Sequence, residues 1–310
     1  MITVSATAVG VPTNLEMPKL TDVMPNSLSW IITVIIIGGL TTWIASKGYD
    51  AVSKAANWMS PIIVFAFLAC GFVALGQLGV DNFSNFISIW GEGAEPFPGQ
   101  TKYTFWHVLL WSWFCNAAMH IGMSDLSVFR YAKSPGSGWT TAAGMYVGHY
   151  MAWIAASLLY AVYLKTPEAA AFLADGSAPP VAPGPLAYNA LGWFGIIAVV
   201  LAGWTTANPT IYRSGLAFQA ILPKLSISKA TVLAGVLATT AGIFPAFAMK
   251  LLDFVAVYGF ILAPVGAIIV FEHFFADRYG VKDYAEKNNI SFNRSVFFAW
   301  LISLSLIHIS

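Results

Sequence analysis

Charged residues are scarce in this sequence. Asp, Glu, Lys and Arg together make up 9% of its 310 residues, whereas soluble domains contain about 25%. So few charges cannot cover the surface of a soluble globule of this length, but a surface that faces lipid needs almost none. The net charge is only +1, so the composition gives no reason to expect a nucleic-acid partner. The shortage of charge therefore predicts a membrane protein.

Cysteine is also scarce, and the common catalytic motifs are missing. The two cysteines, Cys70 and Cys115, lie inside apolar runs, and no CxxC or Cys–His spacing indicates a metal or redox site. The sequence has no phosphate-binding loop, no GxSxG and no HExxH motif. Its five histidines form no metal-ligand pair with Asp or Glu inside an apolar run. We therefore do not expect an enzyme of these types, an ATP-driven pump or an organic cofactor.

Long apolar runs dominate what is present. A bilayer core needs about 20 apolar residues per helix, and seven runs are close to that length: Leu28–Ala45, Ser60–Leu78, Phe105–Met123, Trp139–Leu164, Leu191–Tyr212, Thr231–Met249 and Phe254–Phe275. An eighth run, Val296–Ser310, is too short to cross, as is Ile2–Val11. The runs predict an all-α polytopic membrane protein, truncated at both ends. They predict one transmembrane domain over residues 1–310, with about seven complete membrane helices and a partial eighth.

The basic residues divide unevenly between the two sides of the predicted membrane. If the segment between the first two runs faces the cytoplasm, eleven of the 15 Lys and Arg residues lie inside, and only Lys19, Lys102, Lys165 and Lys250 lie outside. This asymmetry is typical of integral membrane proteins. It also supports the number of runs, because one false helix would scramble the alternation. We expect a multi-pass protein of a bacterial inner or plasma membrane.

Small residues recur along one face of the fourth run. Gly144, Gly148, Ala152 and Ala156 are spaced four residues apart, so they share a helix face. Small residues on a shared face allow another backbone to approach closely. The spacing therefore predicts a tight helix–helix contact along this run.

The third run combines aromatic and polar residues on one face. Trp113, Asn116 and His120 are spaced three and four residues apart and fall on the same side of a helix. An indole ring beside an amide suits a flat heterocycle, which stacks on the ring and bonds to the amide through its edge. The alternative is an interfacial tryptophan with an asparagine that bonds to another helix. We interpret His120 by itself as a packing residue rather than a proton carrier.

The fifth run concentrates polar and helix-perturbing residues. Thr205, Thr206 and Asn208 precede Pro209, and Trp204 lies one helical turn before Asn208 on the same face. Pro209 has no N–H, so the carbonyl of Thr205 loses its usual helical partner. A freed carbonyl beside two hydroxyls and an amide offers the oxygen ligands of a sodium site at an interrupted helix. The alternative is a proline kink in which a threonine bonds to the freed carbonyl.

Four segments resemble one family of transporters. The stretch Trp204–Ala217 resembles the "WTTN…lYs.GLal" segment of the purine–cytosine permeases, in the nucleobase:cation symporter family, which includes cytosine and hydantoin permeases. Three further segments resemble that family in the same order and spacing: Ser124–Lys133 ("aDfsRfak", with two extra residues), Ala263–Ile269 ("pPvGgiii"), and Phe292–Arg294 followed by Ala299–Leu301 ("vNw.allAwl"). The resemblance covers most of the chain.

The resemblance implies a fold. The family has the LeuT-like inverted five-helix-repeat fold. On that basis Leu28–Ala45 is similar to the fourth helix, Phe105–Met123 to the sixth and Leu191–Tyr212 to the eighth. The first two helices and nearly all of the third would precede this chain, so it would contain the second repeat and the end of the first.

The resemblance also implies site residues. In the family an aromatic residue of the sixth helix stacks on the base. Alignment from Asp125 without a gap places Asn116 there, and a small shift places Phe114 or Trp113 there. Trp204 and Asn208 complete the expected substrate site, and Thr205 and Thr206 the expected cation site. Ala207 and Pro209 stand where the family pattern has amide or acid residues. This difference departs from what is expected of a transporter for cytosine itself.

Together these features predict secondary active transport. The expected solute is a nucleobase or a related flat heterocycle, such as cytosine, a purine, uracil, allantoin or hydantoin, and the coupling ion is Na⁺ or H⁺. The alternatives are a LeuT-like carrier for another small solute, such as an amino acid, and a membrane-embedded enzyme. The expected partners are the solute and the lipid bilayer, with no obligatory protein partner and no metal beyond a sodium ion.

Overall fold

The computed structural model describes residues 1–19, 22–89, 104–116, 129–177, 179 and 182–307. Within these ranges the chain is helical and contains no strand. The longer helices are α1 (Ile2–Thr13), α2 (Leu28–Ser46), α3 (Tyr49–Leu78), α5 (Phe105–Asn116), α6 (Ser137–Tyr163), α9 (Trp193–Ile221), α10 (Ile227–Gly242), α12 (Leu251–Phe274) and α14 (Arg294–Ile307). Short helices connect them: α4 (Phe83–Ser88), α7 (Pro167–Ala174), α8 (Pro183–Leu191), α11 (Ala246–Met249) and α13 (Tyr284–Lys287), with a 3₁₀ turn at Ala276–Tyr279.

Five helices of the described chain are long and apolar enough to cross a membrane. They are Leu28–Ser46, Tyr49–Leu78, Ser137–Tyr163, Trp193–Ile221 and Val257–Phe274. They coincide with the first, second, fourth, fifth and seventh apolar runs of the sequence, so the prediction of an all-α membrane protein is confirmed. The third run begins as α5, and its residues 117–123 lie outside the described ranges. The partial eighth run corresponds to α14.

The sixth apolar run differs from the sequence prediction. We expected one helix over Thr231–Met249, but α10 has 16 residues and ends at Gly242, and a turn separates it from α11. Pro245 lies in that turn, and it disfavours helical geometry at the preceding residue because its ring crowds that backbone. Two side chains bond to the carbonyls at the end of α10. Thr3 Oγ1 donates to the oxygen of Gly242 at 3.1 Å, and Trp30 Nε1 donates to that of Ile243 at 2.9 Å.

The contacts divide the chain into two units. Unit 1 comprises residues 1–101 and 141–249, and unit 2 comprises residues 102–140 and 250–310. In unit 1, α9 packs against α1, α2, α3, α8 and α10, and α10 also packs against α2. Trp30 and Val34 of α2 lie in the core beside Ile211 and Tyr212 of α9. In unit 2, α12 packs against α5 and α14, and Trp300 Nε1 donates to the carbonyl of Ile261 at 2.8 Å.

Helices α2 and α10 each contain one copy of a short motif, and the two copies pack against each other. Gly38 faces Thr239, and Gly235 faces Thr42, so closely that a Cβ on either glycine would meet the opposing threonine. Both threonines donate a hydrogen bond to the carbonyl one turn back, Thr42 to Gly38 and Thr239 to Gly235, each at 2.7 Å. Each helix therefore carries a Gly-x-Leu-x-Thr segment, and the glycine of one receives the threonine of the other. Self-complementary contacts of this kind are produced by two-fold related surfaces.

Among the described residues, Gly144 and Gly148 of the fourth run make no tight contact of the kind that their spacing predicted. In α6, no described atom outside the local helix lies within 4 Å of a Cβ placed on Gly144 or Gly148. Close approach occurs instead at glycines of α9, where Gly203 meets Ser5 of α1 and Gly215 meets Thr231 of α10. A glycine spacing indicates where a close contact is possible, but the arrangement of the neighbouring helices decides whether it forms.

Candidate substrate and cation site

Helix α9 carries most of the polar residues that the sequence singled out. It runs without a break from Trp193 to Ile221, with Pro209 inside it. The sequence had suggested an interrupted helix at this point, and that expectation is wrong. A proline removes one N–H donor, yet the helix continues past this position. Nearby, Thr210 Oγ1 donates to the carbonyl of Thr206 at 2.8 Å. The perturbation at Pro209 is a missing donor rather than a broken helix.

Asn208 and Trp204 leave buried polar atoms without partners. Asn208 is 1% exposed, and its Oδ1 has no hydrogen-bond partner in the described chain. The indole Nε1 of Trp204, one turn earlier, is also buried and has no partner there. Leaving such a group unpaired costs about 1–3 kcal/mol. Buried unpaired atoms in native proteins mark strain, a catalytic role or an absent water, ion or ligand, so an acceptor and a donor one turn apart define a candidate binding pair.

The pair lies on the face of α9 that packs into unit 1. Asn208 lies one turn from Trp204 along this face, and Ile211 and Tyr212 lie two turns from it. Ile211 and Tyr212 belong to the core formed with α2. Trp204 itself packs against that core. Within the described chain, the pair therefore lies inside a helix interface.

The hydroxyls of Thr205 and Thr206 both donate to the same backbone carbonyl oxygen. Thr205 Oγ1 and Thr206 Oγ1 both donate to the carbonyl of Ala202, at 3.0 and 3.1 Å. Their hydrogens are used in these bonds, and each hydroxyl oxygen keeps lone pairs that can bind a cation. Two hydroxyl oxygens are thus brought together within one helical turn, and hard cations such as sodium prefer oxygen ligands. The two residues predicted to hold the cation are close together in the structure, although neither hydroxyl bonds to the carbonyl of Thr205.

Thr206 faces a cavity. Successive residues of a helix are about 100° apart, so Thr206 points roughly opposite to Trp204 and Asn208. The cavity lies in unit 1, has a volume of about 350 Å³, and is lined by residues of α1, α3, α6, α8 and α9, including Ala202, Gly203 and Thr206. Of the two candidate cation ligands, Thr206 therefore borders open space, whereas Thr205 and the candidate substrate pair do not line this cavity.

The remaining predicted substrate residues lie on α5. Trp113 is exposed on this helix, which belongs to unit 2, whereas Trp204 and Asn208 belong to unit 1. The side chains of Phe114 and Asn116, and the whole of His120, lie outside the described residues. The choice among Trp113, Phe114 and Asn116 as the stacking residue therefore stays a prediction.

Two features of the site were missed from the sequence. The first is Ser5 of α1, whose buried hydroxyl lies beside Gly203 and has no partner in the described ranges. A single serine in a short run of small apolar residues carries no periodic signal. The second is the cavity wall formed by Cys70 and Leu186, which depends on how α3 and α8 pack. Among the described residues, no three His, Cys, Asp or Glu side chains are placed to hold a metal ion.

Comparisons with known proteins add no relative. No protein-family model matches the chain, and no curated protein and no solved structure is significantly similar to it. The fold that can be stated is therefore an all-α membrane protein, and the function must be argued from the site.

Proposed function

We propose that this protein is part of a secondary active transporter that couples the uptake of a nucleobase or related flat heterocycle to a cation. The observation that carries the proposal is the buried pair of Asn208 Oδ1 and Trp204 Nε1, which have no partner among the described residues, within a helix long and apolar enough to cross a membrane. Polar groups at membrane depth are costly and are usually kept for function. The edge of a nucleobase or hydantoin presents an N–H next to a carbonyl oxygen, which would satisfy both atoms.

The cation is assigned to the hydroxyl oxygens of Thr205 and Thr206. They lie within one turn of the substrate pair on the same helix, so an ion and a solute bound there would interact through a single element. Neighbouring substrate and ion sites near the membrane midplane are typical of secondary transporters.

The packing of unit 1 supports a LeuT-like inverted repeat. By the family resemblance α2 corresponds to the fourth helix and α9 to the eighth, which makes α1 the end of the third and α10 the ninth. A five-helix repeat then pairs α1 with α9 and α2 with α10. The two helices of each pair pack against each other. Helices α2 and α10 do so through their reciprocal Gly-x-Leu-x-Thr segments. An internal two-fold relation between repeats accounts for that reciprocity.

Uptake measurements test the proposal. Labelled uracil, cytosine, allantoin and hydantoin would be supplied to liposomes that contain the intact protein, with and without an inward sodium gradient. We expect accumulation of at least one of the four, and a dependence on either the sodium or the proton gradient. Accumulation of an amino acid instead, with none of the four heterocycles transported, would favour the alternative LeuT-like carrier.

A further inference from the structure

A polar cavity lies where two helices of membrane length end. The ends of α3 and α6 and the short helix α4 form its walls, and its volume is about 500 Å³. Among the described residues that line it, Lys165 is the one charged residue, and Asn85 and Ser88 of α4 carry the other polar side chains. Both α3 and α6 are long and apolar enough to cross a membrane. Their shared end therefore places this polar cavity at the level of the membrane surface.

An apolar cavity lies deeper between the same two helices. Its volume is about 230 Å³, and all the described residues that line it are apolar. They include Phe67, Phe72 and Leu75 of α3, Ile154 and Leu158 of α6, and Phe86 of α4. The helices meet at its middle, where a Cβ on Gly71 would lie 3.8 Å from the Cβ of Ala155. At 1.5 Å per residue, its α3 residues lie about 6–18 Å below Gly79, a depth that falls mostly within one leaflet of the bilayer.

The depth of the apolar cavity indicates what occupies it. Its rim is open to the surroundings, since Phe72 is 71% exposed and Ile154 is 40% exposed. Around a membrane protein, the surroundings at this depth are lipid acyl chains rather than water. Helix α4 borders both cavities, through Phe86 in the apolar one and Asn85 in the polar one. A lipid with one chain in the apolar cavity would therefore have its headgroup in the polar cavity.

The polar cavity offers groups of both signs to a headgroup. The ammonium of Lys165 and the amide of Asn85 are donors for a phosphate. The carbonyls of Leu78 and Ala161, in the last turns of α3 and α6, receive no backbone hydrogen bond in the described chain, and helix C-termini favour cations. The nearest acidic residues along the chain, Asp81 and Glu168, do not line the cavity.

We propose that the two cavities together bind one molecule of phosphatidylethanolamine. Its phosphate lies at Lys165, its ammonium lies at the carbonyl ends of α3 and α6, and one acyl chain fills the apolar cavity. A headgroup with a phosphate but no cation would leave the two helix ends without a partner of opposite charge. This site does not depend on the proposed transport of a nucleobase.

Photochemical cross-linking tests the proposal. The intact protein in detergent would be irradiated with phosphatidylethanolamine that carries a diazirine in one acyl chain, and the modified residues would be located by mass spectrometry. We expect the modifications to concentrate in residues 67–75 and 151–158. Unlabelled phosphatidylethanolamine should compete at roughly tenfold lower concentration than phosphatidylcholine, whose quaternary ammonium has no N–H to donate. Phosphatidylglycerol, which has no ammonium, should also compete less well.

Variants assign the two parts of the lipid to the two cavities. We expect Lys165→Gln to require roughly tenfold more lipid for the same modification, because the phosphate loses a charged donor. Lys54→Gln removes one positive charge near the opposite end of α3 and should change nothing. Ile154→Trp should fill the apolar cavity and suppress modification of residues 67–75 whichever headgroup the lipid carries.

Several results would overturn the proposal. Modification spread evenly over the apolar helices would mean that lipid is not held at these cavities. Equal competition by phosphatidylethanolamine and phosphatidylcholine would mean that the ammonium is not recognised through its N–H groups. Equal effects of Lys165→Gln and Lys54→Gln would remove Lys165 from the site. Competition by glycerophosphoethanolamine, which has the headgroup but no acyl chains, as strong as that of the intact lipid would assign the polar cavity to a soluble compound.

Discussion

At the scale of single residues, the unsatisfied atoms are the most informative feature of this protein. Asn208 Oδ1, Trp204 Nε1 and Ser5 Oγ are buried without partners among the described residues, and all three belong to unit 1. The first two lie on one face of α9, and the third lies on α1 against another face of the same helix. The two atoms on α9 are a donor and an acceptor one turn apart, which suits the planar edge of a heterocycle, whereas Ser5 Oγ is a single buried atom against Gly203.

Replacement of Asn208 tests the first position. We expect Asn208→Ala to reduce solute affinity by roughly tenfold to a hundredfold, because the ligand N–H would lose an acceptor worth about 1–3 kcal/mol. Folding should be little affected, since the amide oxygen has no partner to lose. The measurement is the concentration dependence of uptake, with Thr41→Val as a control for removal of a buried polar group outside the site. Unchanged affinity would assign Asn208 to helix packing.

Replacement of the two threonines tests the cation site. We expect Thr205→Val with Thr206→Val to shift the sodium dependence of uptake to higher concentrations before solute affinity is lost. Valine keeps the shape of threonine but removes the two hydroxyl oxygens that gather around the Ala202 carbonyl. The measurement is uptake against sodium concentration in parent and variant. Superimposable curves would mean that these hydroxyls only support the helix near Pro209.

Two neighbouring hydroxyls of α1 provide an internal comparison of stability. Ser5 has no partner, whereas Thr3 Oγ1 donates to the carbonyl of Gly242 at 3.1 Å, and both side chains are buried. We expect Thr3→Val to lower stability by about 1 kcal/mol, because it removes the side-chain donor to the carbonyl of Gly242, and Ser5→Ala to have no cost or to stabilise. Thermal unfolding in detergent would measure both. Equal losses would mean that Ser5 has a bonding partner.

At the scale of helices, the decisive contact is the one between α2 and α10. Four residues, Gly38, Thr42, Gly235 and Thr239, form two equivalent contacts between them. The motif was present in the sequence as two Gly-x-Leu-x-Thr segments about 200 residues apart, but neither copy indicates its partner. Glycine spacing in α6, which is more regular, leads to no such contact. The local sequence pattern therefore predicted the helices, but only the packing of the helices shows which glycines make close contacts.

Alanine at two adjacent glycines tests this contact. Gly38→Ala places a Cβ against Thr239, so we expect a clear loss of thermal stability, of about 1–3 kcal/mol. Gly39→Ala is the matched control, because nothing in the described chain lies within 4 Å of its Cβ, and alanine should be neutral or favourable there. Thr239→Ala added to Gly38→Ala should recover part of the loss. A Gly39→Ala variant as unstable as Gly38→Ala would contradict the contact.

At the scale of the whole molecule, the sequence predicted its class better than its interior. Five apolar runs became membrane-length helices, since length and hydropathy are local properties. The interrupted sixth run was foreseeable from Pro245, whereas the role of Thr3 and Trp30 in bonding to its end was not, since these residues are distant in the chain. The polar residues of α9 were recognised, but their division between a packed face and a cavity required the arrangement of the surrounding helices.

The path of the chain across the membrane can be tested with cysteines at three exposed lysines. In a background without Cys70 and Cys115, Lys54→Cys and Lys224→Cys should react only with reagents on the cytoplasmic side, and Lys165→Cys only from outside, as the asymmetry of basic residues predicts. A membrane-impermeant maleimide added to intact cells and to inside-out vesicles makes the distinction. Between positions 54 and 165 lie α3, the run that begins as α5, and α6. An odd number of crossings puts the two positions on opposite sides, so labelling of both from the same side would mean that the run starting at Phe105 does not cross the membrane.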